Sequence, residues 1–161
     1  MIGHSSAGRL SRMSHRALIA FVGTLLYSAL PAAVLAQQAA TVVFADGAIS
    51  AQSAGKGPRL VGKGSPLVEG DTLTVGERSF AVVEFADQTR TTLRPNTVIG
   101  IEQFRHQAAE PDGFVLRLVK GGIRAVTGLI GKARPEAVRI QTPNATIGIR
   151  GTSFDARLCA G

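Results

Sequence analysis

From about residue 41 onward the apolar residues recur at alternate positions in short runs. Residues 41–44, 80–85, Phe114/Leu116/Leu118, Ile123/Ala125/Thr127, Val138/Ile140/Thr142 and Ile147/Ile149 all show it. A period of two places successive side chains on opposite faces, which predicts strands rather than helices. Turn signals separate the runs: Asp46-Gly47, residues 55–58 and 62–66, Glu69-Gly70-Asp71, Ala86-Asp87-Gln88, Arg94-Pro95-Asn96, residues 110–113, Gly121-Gly122, residues 131–135 and Thr142-Pro143-Asn144. Strand centres then lie roughly 8 to 12 residues apart, the spacing of an all-β sandwich, barrel or solenoid-like fold. We therefore expect a glycine-rich all-β single domain of about eight to ten short strands. The one short helix expected covers residues 103–109.

The first 36 residues follow a different pattern. Arg9, Arg12 and Arg16 precede an acid-free, apolar-rich stretch over residues 17–30, Pro31 breaks it, and Val34-Leu35-Ala36 places small residues at the −3 and −1 positions of a cleavage site. This is the layout of a secretory signal peptide with cleavage after Ala36. The stretch is short of the roughly 20 residues a membrane-spanning helix needs, so no stable span is expected after cleavage. With no cysteine directly following the apolar run and no Arg-Arg pair, neither a lipoprotein anchor nor the twin-arginine route is indicated. Residues 1–36 are assigned as signal peptide and residues 37–161 as the mature, periplasmic domain.

Charge then reads differently. The 161 residues hold 18 Lys+Arg and 11 Asp+Glu, a net +7, of which three cations leave with the leader. The remaining basic residues are spread singly, Trp is absent and six Phe remain, so a nucleic-acid groove with stacking platforms is not expected. Weak attraction to acidic envelope surfaces or polymers is consistent with this balance. One cysteine, Cys159, excludes an internal disulfide framework and a four-thiolate zinc site. In an oxidising compartment such a thiol calls for a partner: either it pairs between chains or the chain stops early.

Candidate chemistry is sparse. Gly57-Pro58-Arg59-Leu60-Val61-Gly62-Lys63-Gly64 has the spacing GxxxxGK, but Gly64 stands where a Ser or Thr should hold magnesium and Ser65-Pro66 where a helix should begin. A glycine-rich β connection accounts for it better. His106, the only imidazole after the leader, cannot form a metal-binding His pair and reads as a surface residue. Gly151-Thr152-Ser153-Phe154-Asp155 departs from GxSxG at its last position, and Ser153 has no His placed as its base. Glu84 with Asp87, or Asp71 with Glu69, would be the nearest carboxylate pairs for hydrolytic chemistry, yet neighbouring acids in turns are usually solvated charges. Asn144-Ala145-Thr146 is formally a glycosylation sequon, a match too easily made by chance to use. We expect no catalytic set, no cofactor and no metal.

The stretch 138–155, VRIQTPNATIGIRGTSFD, carries more information. Pro143 lacks a donor and biases Thr142 toward extended geometry, so it ends a strand. Asn144 can make the turn. Ile147 and Ile149 then face one way and Thr146, Gly148 and Arg150 the other. Arg150, with Gly148 and Gly151 clearing space around it, could contact a ligand or partner; a buried staple donating to carbonyls or a carboxylate is the reading favoured by its glycine flanks.

The run Thr142-Pro143-Asn144-Ala145-Thr146-Ile147-Gly148-Ile149-Arg150-Gly151-Thr152 resembles the TPxATxGIRGT signature of the FecR-domain family. Glu69-Gly70-Asp71-Thr72-Leu73, the SFAVVEFAD segment ending at Asp87, Thr92-Leu93-Arg94-Pro95-Asn96-Thr97 and Val119-Lys120-Gly121-Gly122-Ile123-Arg124 are similar to that family's earlier elements and follow its order. The resemblance covers about residues 42–155. Gln88 stands where the family usually has the glycine of an Asp-Gly turn. The resemblance implies an extracytoplasmic all-β module, best known as the periplasmic part of transmembrane anti-sigma regulators. It marks Asp71, Asp87, Thr142, Pro143, Thr146, Gly148, Arg150, Gly151 and Thr152 as motif positions with a structural or partner-contact role.

Only 16 residues precede the apolar run, too few for a folded cytoplasmic sigma-binding domain, so the likeness is to stand-alone exported members. The end at Cys159-Ala160-Gly161 reads as an early stop or incomplete frame that leaves a sheet edge unpaired. The expected function is a non-enzymatic binding or signalling module that contacts an envelope protein or ligand. The alternative is a glycan- or peptidoglycan-associating element of an envelope assembly, and a third reading is a carboxylate-driven hydrolase using Asp71, Glu84 and Asp87.

Overall fold

Strand alternation is read directly in β6 (Phe80–Phe85), where Ala81, Val83 and Phe85 are buried and the intervening side chains are not. The computed structural model describes residues 38–106 and 111–159, all within one compact unit, Ala36–Gly161. The expected leader and its cleavage site lie outside the described residues.

In chain order the strands are β1 (Gln38–Asp46), β2 (Ile49–Gln52), β3 (Arg59–Leu60), β4 (Pro66–Val68), β5 (Thr72–Val75), β6, β7 (Arg90–Leu93), β8 (Val98–Arg105), β9 (Gly113–Lys120) and β10 (Gly122–Val126). A five-residue helix, α1 (Leu129–Ala133), and a 3-10 turn (Pro135–Ala137) lead to β11 (Val138–Gln141), β12 (Thr146–Gly148) and β13 (Ser153–Arg157). They form two sheets. One has the order β13-β10-β7-β6-β1-β4 and the other β12-β11-β9-β8-β5-β2-β3. Among the described residues all pairings are antiparallel except β9 with β11, which run parallel.

The inner faces meet in a single apolar core. Phe85 of the six-stranded sheet meets Phe114 of the other edge to face, with ring centroids 4.7 Å apart, and Phe104 lies 5.4 Å from Phe85. This cluster supplies the bulk that Trp provides in many sandwiches; each such ring contributes about 1.5–3 kcal/mol by leaving water. At the opposite surface of the six-stranded sheet Phe44 and Phe80 stack on each other and stay partly exposed.

The all-β expectation holds. Thirteen strands among the described residues exceed the eight to ten expected, because stretches between the expected runs pair as short strands, β3 and β4 among them. The helix is a correction. Residues 103–105 continue β8 through a register shift between Ile101 and Gln103, with the Phe104 side chain in the core and its N–H donating to Glu69 Oε2 at 2.9 Å. Residues 107–109 lie outside the described ones. The helix instead covers Leu129–Ala133, where a turn was expected.

The chain leaves β9 for the opposite sheet at Gly121, whose φ of +80° few other residues adopt. The buried Thr97 hydroxyl fixes this crossing, accepting from Gly122 N–H (3.1 Å) and facing Gly122 O at 3.0 Å. Through β10 and α1 the chain returns to place β11 beside β9.

Candidate interaction surface

The motif forms the last hairpin of the seven-stranded sheet and the crossing that follows it. Residues 142–145 close the turn between β11 and β12. Thr142 N–H donates to Ala145 O at 2.8 Å, and Ala145 N–H donates back to Thr142 Oγ1 at 3.0 Å. The Thr142 side chain thus shapes the loop, with Pro143 and Asn144 at its exposed tip. Among the described residues strand β12 pairs with β11 alone and forms the edge of its sheet.

On the outer surface of this sheet Arg117 and Val119 of β9 line an open groove of about 440 Å³ with Gln141, Thr142, Pro143 and Thr146. The parallel β9–β11 pairing makes it, setting Arg117 opposite Gln141, while Gln141 sits opposite Thr146 on the other side. Arg117 Nε is 2.9 Å from Glu102 Oε1, which holds the guanidinium against the sheet. Val119 is an exposed apolar residue at the groove wall. A surface of this kind can hold a ligand through one cation, hydroxyl and amide groups and two apolar contacts.

After β12 the chain crosses to the other sheet. Ile149 is buried and its N–H donates to Val138 O at 3.2 Å, whereas Ile147 stays 42 % exposed because β12 is an edge strand. Thr127 ties down the crossing: its N–H donates to Thr152 O (2.9 Å) and its hydroxyl to Gly151 O (3.0 Å). Arg150 is exposed, which corrects the buried-staple reading. Its glycine neighbours clear no internal slot; Gly148 faces open space and Gly151 takes the turn at φ +140°. Sequence reading also missed where the charge lies: residues 113–159 contain eight Lys/Arg and two Asp/Glu. The acidic residues concentrate earlier in the chain.

Asp71 and Asp87 do not line the groove. Both are fully buried. Asp71 gathers three residues, accepting from Ser53 Oγ (2.5 Å), Arg59 Nη2 (2.7 Å), Arg59 Nη1 (3.2 Å) and Val68 N–H (3.0 Å). Burial alone would raise its carboxyl, but the bonds from Arg59, Ser53 and Val68, together with the Arg59 charge, outweigh that and hold it below the ordinary value. Asp87 organises the β6–β7 turn and the start of α1. It accepts from Thr89 N–H (3.0 Å), Thr89 Oγ1 (2.8 Å) and Ile130 N–H (3.3 Å) through its carboxylate, while Leu129 N–H reaches its backbone oxygen at 2.7 Å.

The other candidate groups occupy ordinary roles. Arg59, inside the GxxxxGK-like run, belongs to β3 and serves Asp71. His106 is partly exposed with Nδ1 3.4 Å from Asp112 Oδ1. Glu84 pairs with Arg90 across two strands, Glu69 accepts from Phe104 N–H, and Ser153 is an exposed residue of the edge strand β13. Among the described residues no group of three or more His, Cys, Asp or Glu is placed to hold a metal ion, and no helix is long and apolar enough to cross a membrane.

The two sheets, the buried turn aspartates and the motif hairpin at a sheet edge define an all-β module that presents a groove and an open edge. The family model described as FecR protein matches residues 71–160, so the chain belongs to the FecR family. The match begins at Asp71 and includes every motif position named above. Membership suggests a signalling or regulatory module associated with the cell envelope. No curated protein and no solved structure matches the chain.

Proposed function

We propose that this chain is a non-enzymatic FecR-domain module of the periplasm, exported by the leader in residues 1–36, that binds an envelope protein or ligand. The observation that carries the reading is the groove between β9 and the motif hairpin, where Thr142, Pro143 and Thr146 meet Arg117, Gln141 and Val119 at an exposed surface. Asp71, Glu84 and Asp87 are engaged by Arg59, Arg90 and backbone N–H groups respectively, which supports binding over catalysis. Incubation of the purified protein with envelope extract, followed by crosslinking and mass spectrometry, tests it. One partner should be retained at moderate salt and lost from Val119→Glu, a change at an exposed position that leaves the fold intact. Failure of the wild-type protein to retain any partner at micromolar concentration overturns the proposal.

The excess of cations in residues 113–159 favours a second reading, association with an acidic glycan or peptidoglycan. Sedimentation with purified sacculi distinguishes it: salt-sensitive retention is the expected result, and none discards it.

A further inference from the structure

We infer that β12 is a docking edge that accepts an extended acidic segment of a partner protein as an eighth strand of its sheet. This rests on the binding-module reading and specifies how the partner is held. The bonds Thr142 N–H to Ala145 O and Ile149 N–H to Val138 O mark two bonded pairs of the β11–β12 hairpin. In an antiparallel pair such positions alternate, so the Ile140–Ile147 pair between them is also bonded. Thr146 and Gly148 therefore direct their N–H and C=O groups away from β11, toward the open side. Gly148 has no side chain to shield them, and a Cβ there would meet nothing within 4 Å.

Sheet edges are ordinarily blunted by proline, bulges or covering segments. Strand β4 at one edge of the other sheet begins with Pro66, and Arg59 of edge strand β3 reaches across to Pro66 O at 3.3 Å. Strand β12 contains no proline and no register shift, since Pro143 lies in the turn before it. Its amide groups match the main-chain recognition used in strand addition.

Side chains specify the occupant. Ile147 presents apolar surface on the inward side of the edge, being opposite the buried Ile140. Arg139, opposite Gly148, is exposed on the other side, Arg150 is exposed two residues past the strand, and neither has a carboxylate within ion-pair distance among the described residues. An incoming strand that alternates apolar with acidic residues satisfies both sides at once. A second copy of β12 brings no acidic side chain to the arginines, since residues 142–150 contain no Asp or Glu, so self-pairing leaves both charges uncompensated. A glycan could meet the arginines but has no peptide ladder to offer the amides.

The test uses a labelled eight-residue peptide alternating glutamate and valine, titrated into the purified protein and followed by fluorescence anisotropy. Saturable binding is expected. A peptide of the same sequence N-methylated at alternate amides should bind about tenfold more weakly or worse, because it loses ladder bonds and keeps its side chains. Gly148→Pro should produce a similar loss, and Arg139→Glu combined with Arg150→Glu should shift preference to a lysine–valine peptide. The N-methylated peptide keeps the test decisive even if Gly148→Pro fails to fold. Equal binding of the methylated and unmethylated peptides, no binding by folded wild-type protein, or concentration-dependent dimerisation through β12 would each overturn the inference. If an envelope partner is retained equally by wild type and a folded Gly148→Pro, the edge assignment fails while the binding-module reading stands. Peptide binding without any retained envelope partner gives the opposite result.

Discussion

Arg59 lays two guanidinium nitrogens on Asp71, with Nη2 2.7 Å from Oδ2 and Nη1 3.2 Å from Oδ1, so an exposed two-residue strand is anchored to a carboxylate with no exposure of its own. Ser53 and the Val68 N–H complete the carboxylate's shell. Asp71→Ala leaves those donors without their acceptor and should lower stability by about 2–4 kcal/mol, read by urea unfolding. Arg59 is 41 % exposed, so Arg59→Ala should cost less, and the double variant should be less destabilised than the sum.

The same carboxylate makes stability depend on pH. Its folded value is held below the ordinary one, so between those two values the unfolded chain binds more protons than the folded one. The contribution is complete above the unfolded value of about 4 and is lost as pH falls through that value toward the lowered folded one. Urea midpoints of the wild-type protein should therefore drop between about pH 5 and pH 3 more steeply than those of Asp71→Asn. Parallel slopes would remove Asp71 from the account.

Gly128 packs against the β6–β7 turn. An added Cβ would overlap Asp87 O and Thr89 N, both backbone atoms, and Gly128 N–H donates to Thr89 Oγ1 at 2.9 Å. Gly128→Ala should destabilise by about 2–3 kcal/mol, because the turn or α1 must move. Gly148→Ala, in open space, should stay within about 0.5 kcal/mol of wild type in the same thermal melts.

Gln88 occupies the left-handed region at φ +68° in the turn where its family usually has glycine. A side chain there costs roughly 1–2 kcal/mol, whereas glycine loses about 0.5–1 kcal/mol more backbone entropy on folding. Gln88→Gly should leave a net gain of about 0.5–1 kcal/mol, measured as a higher urea midpoint. A lower midpoint would show that the Gln88 side chain contributes contacts that outweigh the strain.

Much of this fold was legible because strands announce themselves locally. The run 80–85 marked β6, the alternating Val138 and Ile140 are the buried positions of β11, and Pro143 with Asn144 marked the hairpin tip. The helix was not legible. Five residues span little more than one turn, too few to show a helical period, and Gly131 and Pro135 carry turn signals. Its start is fixed by Asp87 and Thr89, about forty positions earlier in the chain. Residues 103–105 misled for a related reason: the shift at Ile101/Gln103 breaks the strand period just where Phe104 turns into the core. The groove was hidden more deeply. Arg117 and Gln141 become neighbours only through a parallel pairing that no local pattern encodes. For Arg150, two flanking glycines suggested an enclosed side chain, although one serves the turn and the other lies at an open edge.

Because β12 rims one layer and β13 the other, the short crossing through Ile149 and Arg150 is a clasp shared by both. A protease nick at the exposed Arg150 would release two rims with a single cut, leaving Thr127 without the backbone it grips and β10 with a loosened neighbour. Cleavage there is thus a two-layer event, whereas a nick in the loop between β2 and β3 would disturb one rim alone.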